Sequence, residues 1–253
     1  MTTSLGAQNW YTSGMPKQRL DKLLADRGLV GSRSQAESYI KLGYVTVEGK
    51  KAFKPGEIIN GTQAIKVTVD EQYVSRAALK LAGAAKVFGL DFNGKQVLDV
   101  GGSTGGFTDY ALKNRASAVV AVDVGTDQLH ASLRSNPRID LHEKTDIRSI
   151  KKLSPLPDII LIDVSFISLR EILPHISALA SKSTQIIAML KPQFEAGKEQ
   201  INRGVVKNDR LRRQILKDFE NWTKNLFVIE AKADSQVTGA LGNLERFYLL
   251  KKL

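Results

Sequence analysis

The chain has 253 residues and a formal net charge of +11; the length fits a small module joined to a mid-sized domain, and the charge favours a polyanionic partner. The absence of cysteine excludes disulfides, thiolate catalysis and cysteine-based zinc sites, and the three histidines lack the spacing of a helical zinc site, so no metal is expected. No apolar run approaches the roughly 18 residues that span a bilayer, and the first residues lack a signal peptide's charged and apolar regions, so we expect a cytoplasmic protein without a membrane partner.

The first 70 residues divide into an arm and a small module. Residues 1–15 show no hydrophobic period and are interpreted as a disordered arm or a non-native remnant. Apolar residues at helical spacing predict two helices, one from Leu20 to Leu24 and one from Ala36 to Leu42. Alternating residues from Gly43 to Lys50, and again from Ala64 to Val69, predict strands. Residues 16–70 are therefore predicted to form a compact α+β module.

The remainder of the chain, residues 71–253, has the pattern of one α/β domain. Short apolar strands alternate with helical segments from Gln96 onward, which predicts βαβ units and a parallel sheet. Helices are predicted at 76–88, 108–113 and 210–222, and seven strands at 96–100, 118–122, near Leu141, 159–162, 185–190, 227–231 and 247–250. The predicted fold class is a doubly wound, Rossmann-like α/β sheet of seven strands, preceded by the small module.

A glycine-rich turn directly follows the first strand of this sheet. Glycine lets a backbone approach a ligand closely, and the helix that follows offers unpaired N–H groups. The spacing is neither the dinucleotide fingerprint nor a phosphate-binding P-loop, which disfavours a pyrophosphate ligand. Asp123 ends the next strand, where a carboxylate can accept bonds from ribose hydroxyls, and Asp146 follows the third, where it could face an adenine amino group. The candidate nucleotide-binding residues are Asp99, Gly101, Gly102, Ser103, Gly105, Gly106, Phe107, Asp123 and Asp146. The alternative is that the glycines mark a tight turn and both later aspartates are solvated.

Four ionisable residues stand at the ends of successive elements: Lys80, Asp163, Lys191 and Glu245. The carboxyl ends of parallel strands line the ligand crevice of an open sheet, so Asp163 and Lys191 should point to the same place as the glycine turn. The alternative is that each charge is a solvated strand end.

Two groups of cations are candidates for contacts with nucleic acid. The candidates in the small module are Arg19, Lys22, Arg33 and Lys41. The candidates near the last predicted helix are Arg203, Lys207, Arg210 and Arg213. Solvated helix faces would also explain them, and a basic protein without a polyanionic partner stays possible.

These residues resemble a known family. The set Lys80, Asp163, Lys191 and Glu245 resembles the Lys-Asp-Lys-Glu tetrad of RrmJ/FtsJ-type ribose 2′-O-methyltransferases, and the glycine turn resembles their cofactor loop. The segments 75–81, 163–168, 191–195 and 242–245 are similar to the TlyA family, whose members join an S4 domain to this catalytic fold and are often labelled haemolysins. The segment from Arg19 to Val47 resembles the S4 RNA-binding fold. The resemblance covers nearly everything from Arg19 onward.

The resemblance implies methylation of a cytidine 2′-hydroxyl in ribosomal RNA, with S-adenosyl-L-methionine as donor. The implied partner is ribosomal RNA or a ribosomal subunit, with large-subunit RNA favoured and small-subunit RNA also open, and not DNA, because the acceptor is a 2′-hydroxyl. Lys191 would be the base or the hydroxyl anchor, and Asp163 would orient it and contact the cofactor. Lys80 and Glu245 would position the ribose. We expect a monomer.

Three alternatives to this function stay open. The first is a membrane-active protein, suggested by the haemolysin label alone. The second is a ribosome assembly factor that keeps an idle methyltransferase fold, against which the intact tetrad argues. The third is an enzyme of the same class that methylates a base or a protein.

Overall fold

The computed structural model describes residues 17–68, 73–197, 199, 201, 203–239 and 241–253. The predicted arm, residues 1–15, and the end of the strand predicted to reach Val69 lie outside the described residues. The chain divides into two compact units, with the division between Glu71 and Gln72.

The N-terminal unit contains two helices and two small sheets. The helices are α1 (Leu20–Asp26) and α2 (Arg33–Lys41), which confirms both predictions. Ser32 caps α2 by accepting a hydrogen bond from the Gln35 backbone. The unit has two antiparallel sheets. The predicted strands belong to one of them, and the strands of the other, β1 and β4, have two residues each and give no sequence signal. The strands are β1 (Gln18–Arg19) paired with β4 (Ile58–Ile59), and β2 (Val45–Val47) between β3 (Lys50–Lys51) and β5 (Ile65–Val67).

The C-terminal unit contains a seven-stranded sheet in the order β11-β12-β10-β9-β6-β7-β8. Its strands are β6 (Gln96–Val100), β7 (Ala118–Val122), β8 (Ile139–His142), β9 (Ile159–Ile162), β10 (Gln185–Leu190), β11 (Phe227–Asp234) and β12 (Arg246–Lys252). The predicted seven-stranded sheet is present but is mixed rather than parallel throughout, since β12 runs antiparallel to both β10 and β11. A short loop rather than a crossover helix joins β11 to β12, and a parallel connection needs a longer crossover.

Helices cover both faces of this sheet, as a doubly wound fold requires. The helices of the unit are α3 (Arg76–Phe88), α4 (Gly106–Lys113), α5 (Ala131–Arg134), α6 (Leu169–Leu179), α7 (Pro192–Glu195) and α8 (Asp209–Thr223). One core includes Leu81 of α3 and Phe107 of α4, and the other includes Leu173 of α6 and Phe219 of α8. Helix α6 was not among the predicted helices, and Pro174 lies inside it.

The chain runs from β6 outward through β7 to β8 and then crosses back to β9 and β10 on the other side of β6. This reversal opens a crevice beyond the carboxyl ends of β6 and β9, the usual ligand position in an open α/β sheet. Within the described residues, none of the helices is long and apolar enough to cross a membrane.

Helices α3 and α4 pack so closely at Gly106 that a larger residue does not fit. A Cβ atom there would lie 2.3 Å from Ser75 Oγ, 2.8 Å from Ala77 Cβ and 3.1 Å from the Ala78 backbone nitrogen. We expect Gly106→Ala to lower the free energy of unfolding by about 1–3 kcal/mol, as measured by urea denaturation.

Gly83→Ala is the matched control for this variant. Gly83 lies inside α3, and a Cβ atom there would be 3.5 Å from the Gln236 side chain, an ordinary contact. Alanine favours helix, so this variant should be as stable as the wild type or more so. Equal stability of the two variants would contradict the tight packing at Gly106.

Candidate active site

Two adjoining cavities occupy the crevice. The first, of about 300 Å³, is lined by residues at the ends of β6, β7 and β9 and after β8, including Gly101, Asp123, Asp146 and Asp163. The second, of about 600 Å³, is lined by Lys80, Lys191 and Glu245 among others. Ser165 and Phe166 line both cavities, so the two share a wall.

The glycine turn forms one side of the first cavity, but its residues have different surroundings. Gly101 and Ser103 line the cavity. Gly101 has a φ of +85°, and a Cβ atom there would lie 2.7 Å from the Asp163 carbonyl oxygen, so only glycine fits. Gly102 packs beside Ala121, and Gly105 packs under Leu129 and Leu133. Gly106 and Phe107 belong to the packing of α3, α4 and the core. Four of these six predicted loop residues therefore have a packing role.

Asp123 and Asp146 both lie on the wall of the first cavity. The Asp123 carboxylate accepts hydrogen bonds from the Ser103 and Gly125 backbone nitrogens, each at 2.7 Å, which ties the glycine turn to the end of β7. Asp146 binds Arg148 through a 2.6 Å contact, and these hydrogen bonds hold the pKa of Asp146 below its usual value. Both side chains reach the cavity but already have protein partners.

Asp99 lies beneath the glycine turn and is fully buried. Its Oδ2 accepts a 2.6 Å hydrogen bond from Thr108 Oγ1, and its Oδ1 has no hydrogen-bond partner among the described residues. Burial raises the pKa of Asp99 to about 7, although the Thr108 bond opposes the shift.

The four ionisable residues form two ion pairs. Lys80 Nζ lies 2.5 Å from Glu245 Oε2, and Lys191 Nζ lies 2.7 Å from Asp163 Oδ1. All four side chains are at most 15% exposed. The Lys191–Asp163 contact is an ion pair in which Asp163 Oδ1 accepts no hydrogen bond, and Lys191 also donates a hydrogen bond to Ser165 Oγ at 2.7 Å. The structure thus pairs residues that are up to 165 positions apart in sequence.

The sequence reasoning assigned no role to Phe166, which stands between the two cavities. Its side chain is 91% exposed, its φ is +66°, and its ring lies 5.2 Å from that of Phe194. A positive φ is strained for an aromatic residue and is found mainly at functional sites. The available signal was its position in the 163–168 segment that carried the family resemblance.

Asn243 is a second residue to which the sequence reasoning gave no role. Its buried amide donates to the Gly204 carbonyl at 2.8 Å and accepts from the Val206 nitrogen at 3.0 Å. These bonds fasten the start of residues 203–213, the basic segment, to the loop that carries Glu245.

The predicted cations fall on both units. In the N-terminal unit, Arg19 and Arg33 both bind the buried carboxylate of Asp21, at 2.8 and 3.0 Å. Burial alone would raise the pKa of Asp21, but the bonds from both arginines outweigh it and lower the pKa. Lys22 and Lys41 are exposed, and so are Arg203, Lys207, Arg210 and Arg213 of the C-terminal unit. Arg212 differs from its neighbours, because it binds Asp234 at 2.6 Å and the Leu244 carbonyl at 3.0 Å.

Comparison with known sequences now decides the family. The FtsJ-like methyltransferase family matches residues 73–252, and the S4 domain matches residues 18–65. The chain belongs to the TlyA family. A Mycobacterium tuberculosis relative, the 16S/23S rRNA (cytidine-2′-O)-methyltransferase TlyA, is 38% identical over 93% of this chain and 90% of its own length. A Campylobacter jejuni relative, the 23S rRNA (cytidine-2′-O)-methyltransferase TlyA, is 38% identical over 86% of this chain and 93% of its own.

Other relatives carry the haemolysin label. Hemolysin A of Brachyspira hyodysenteriae is 37% identical over 90% of this chain and 97% of its own. A solved structure from Streptococcus thermophilus, also named as a hemolysin, is 38% identical, covers 94% of this chain and 90% of its own, and has a TM-score of 0.69. The predicted family and fold class are confirmed.

The buried carboxyl of Asp99 gives a pH-dependent prediction. Because the pKa of Asp99 is raised to about 7, its ionisation in the folded protein costs free energy that accumulates as the pH rises from about 4 to about 7. Asp99→Asn removes this cost and keeps an acceptor for Thr108.

The stability of Asp99→Asn relative to wild type should therefore improve between about pH 5 and about pH 7.5 and then level off. Urea midpoints for both proteins across this range measure the difference. A difference that does not change with pH would contradict the raised pKa.

Proposed function

We propose that this protein transfers a methyl group from S-adenosyl-L-methionine to the 2′-hydroxyl of a cytidine in ribosomal RNA. The supporting observation is the pair of buried lysine–carboxylate contacts at two cavities that share a wall: Lys80–Glu245 lines the second cavity, and Lys191–Asp163 joins the second cavity to the first, beside the glycine turn. The names of the M. tuberculosis and C. jejuni relatives state this reaction. A membrane-active function is not favoured, since these relatives are as similar to the chain as the haemolysin-named one.

The first cavity suits the methyl donor. Its wall carries three carboxylates, Asp123, Asp146 and Asp163, which complement a ligand with sulfonium and ammonium charges. Gly101 lines this cavity with its backbone, and the Asp163 backbone fills the space that a side chain at Gly101 would need. We propose that Asp123 accepts bonds from the ribose hydroxyls and that Asp146 faces the adenine. The bound donor would supply an electrophilic methyl group on a good leaving group.

Lys191 and its partners suit the acceptor hydroxyl. When the methyl–oxygen bond forms and the methyl–sulfur bond breaks, the hydroxyl must lose its proton. Lys191 would take this proton as a neutral amine, or would hold the hydroxyl as an ammonium while the proton leaves to solvent after transfer, and the contacts with Asp163 and Ser165 fix its direction in either case. Alignment of the oxygen with the methyl group supplies most of the rate.

The remaining walls of the second cavity suit the nucleotide. The Lys80–Glu245 pair offers a donor and an acceptor for ribose groups. Phe166 and Phe194 offer an aromatic face on which a base can stack, and Ile201 and Leu241 add apolar surface. We propose that the target cytidine enters this cavity with its base against Phe166.

Removal of the Lys191 side chain tests this assignment. We expect Lys191→Ala to lower the rate of methyl transfer by about 10²- to 10⁴-fold, because the hydroxyl loses its base or anchor. Donor affinity, measured by calorimetry, should change little. The assay transfers labelled methyl to isolated ribosomal subunits and to their naked RNAs, and nucleoside analysis identifies 2′-O-methylcytidine.

Lys182→Ala is the matched control, since Lys182 is an exposed lysine before β10, whereas Lys191 directly follows that strand. Its activity should equal that of wild type. Wild-type turnover in Lys191→Ala would refute the role of Lys191, and the absence of label in any RNA would refute the proposed function.

We propose that exposed cations of both units bind phosphate groups of the RNA backbone. Arg19 and Arg33 are half exposed and are held in place by one buried carboxylate, so they are preorganised for phosphate. The basic segment of the C-terminal unit begins beside the second cavity, where Gly204 lines the wall and Asn243 fastens the chain. Arg203, Lys207, Arg210 and Arg213 would then contact phosphates that flank the target.

The arginines of α8 provide a prediction and its control. We expect the double variant Arg210→Ala/Arg213→Ala to weaken RNA binding and to reduce the slope of log affinity against log salt by about one per cation removed. Filter binding at several salt concentrations measures both quantities. Arg212→Ala should lower stability, because Asp234 loses a partner, but should leave the salt slope nearly unchanged. An unchanged slope in the double variant would contradict the contact.

A further inference from the structure

Three side-chain contacts join the segment after β10 to the loop after β9. The first is Lys191 with Asp163 and Ser165. The second is the ring contact of Phe194 with Phe166, with centroids 5.2 Å apart. The third involves Glu195, which the proposed chemistry does not use.

Glu195 holds the end of this loop with both carboxylate oxygens. Its Oε2 accepts from Ser168 Oγ at 2.6 Å, and its Oε1 accepts from the Leu169 backbone nitrogen at 2.7 Å. Ser168 is also the N-cap of α6. The side chain of Glu195 is 2% exposed, and burial raises its pKa, with the two hydrogen bonds opposing the shift. Burial makes the charge of this carboxylate costly, and the two hydrogen bonds and Arg170, whose Nε lies 3.8 Å from Oε2, offset that cost.

The loop that Glu195 holds has no regular secondary structure of its own. Residues 163–168 connect β9 to α6 and include the strained Phe166. Strained conformations persist only where the surroundings fix them. The loop is fixed by Lys191 at its start, by Phe194 in the middle and by Glu195 at its end.

We propose that Glu195 is a positioning residue for methyl transfer. By fixing Ser168 and Leu169 it determines where the loop places Ser165 and Phe166 relative to Lys191. The inference rests on the proposed function, in which Lys191 acts on the hydroxyl and Phe166 contacts the base.

Thr184 offers a matched control at the other end of the same two strands. It is 1% exposed, and its Oγ1 donates to the Pro157 carbonyl at 2.8 Å. This bond joins the segment before β10 to the segment before β9. Thr184→Val therefore removes this buried bond, together with the bonds of Thr184 Oγ1 to Ser181, far from the carboxyl ends of the two strands.

The test compares Glu195→Ala, Glu195→Gln and Thr184→Val for kcat, for KM with RNA and for thermal midpoint. We expect Glu195→Ala to lower kcat by about 10- to 100-fold, since small displacements of reacting groups have effects of that size. Glu195→Gln keeps the size of the side chain and an acceptor for Leu169, so its loss should be smaller but still above twofold. Thr184→Val should lower the midpoint and leave kcat within twofold of wild type.

A kcat within twofold of wild type in both Glu195 variants, with a lowered midpoint, would overturn the proposal. Hydrogen exchange gives a readout that does not need activity: backbone amides of residues 164–169 should exchange faster in Glu195→Ala, or in Glu195→Gln if the alanine variant does not fold. Unchanged exchange there would overturn the proposal. Wild-type protein that transfers no methyl group would instead refute the proposed function, while exchange would still report on the loop.

Discussion

The carboxyl ends of β6 and β9 lie so close together that a side chain cannot stand between them. A Cβ atom at Gly101 would lie 2.7 Å from the Asp163 carbonyl oxygen. This approach brings the glycine turn next to the loop that carries Asp163, Ser165 and Phe166. The two cavities share a wall as a result, and that proximity lets a donor in one reach an acceptor in the other. The proposed chemistry depends on this contact more than on any single charge.

Charge is distributed unevenly over a chain with a net charge of +11. The second cavity is lined by Lys80, Lys191 and Glu245, and Asp163 pairs with Lys191 from the wall of the first cavity, so the four groups cancel formally. Buried ion pairs of this kind contribute little net stability, because desolvation offsets their attraction. In this site the pairs hold the lysine and carboxylate side chains in fixed orientations. Under the proposed function, the exposed cations of α8 and of the N-terminal unit would attract the polyanionic RNA.

The sequence predicted most of the strands and helices of the C-terminal unit. All seven strands of the large sheet and helix α3 were predicted from apolar runs and periodicity, four of the strands with the bounds of the structure, because such patterns reflect which face is buried. The Lys80–Glu245 pair did not follow from any pattern: the residues are 165 positions apart, and only the family resemblance joined them. Gly106 was predicted to bind the cofactor, and the structure shows it where α3 and α4 pack together. A glycine that permits helix packing has the same sequence signature as one that admits a ligand. The strain at Phe166 is a property of backbone geometry and left no periodic signal.

The reversed direction of β12 explains why Glu245 precedes its strand in the sequence. Asp163 and Lys191 follow their strands, whereas Glu245 precedes β12, and an antiparallel strand begins at the edge where its neighbours end. The same reversal sends the chain away from the crevice as β12 proceeds, and Leu250 is already opposite Ile186, near the start of β10. A fluorophore or affinity tag attached after Leu253 would therefore leave from the far edge of the sheet, where it would not obstruct an RNA that enters the crevice.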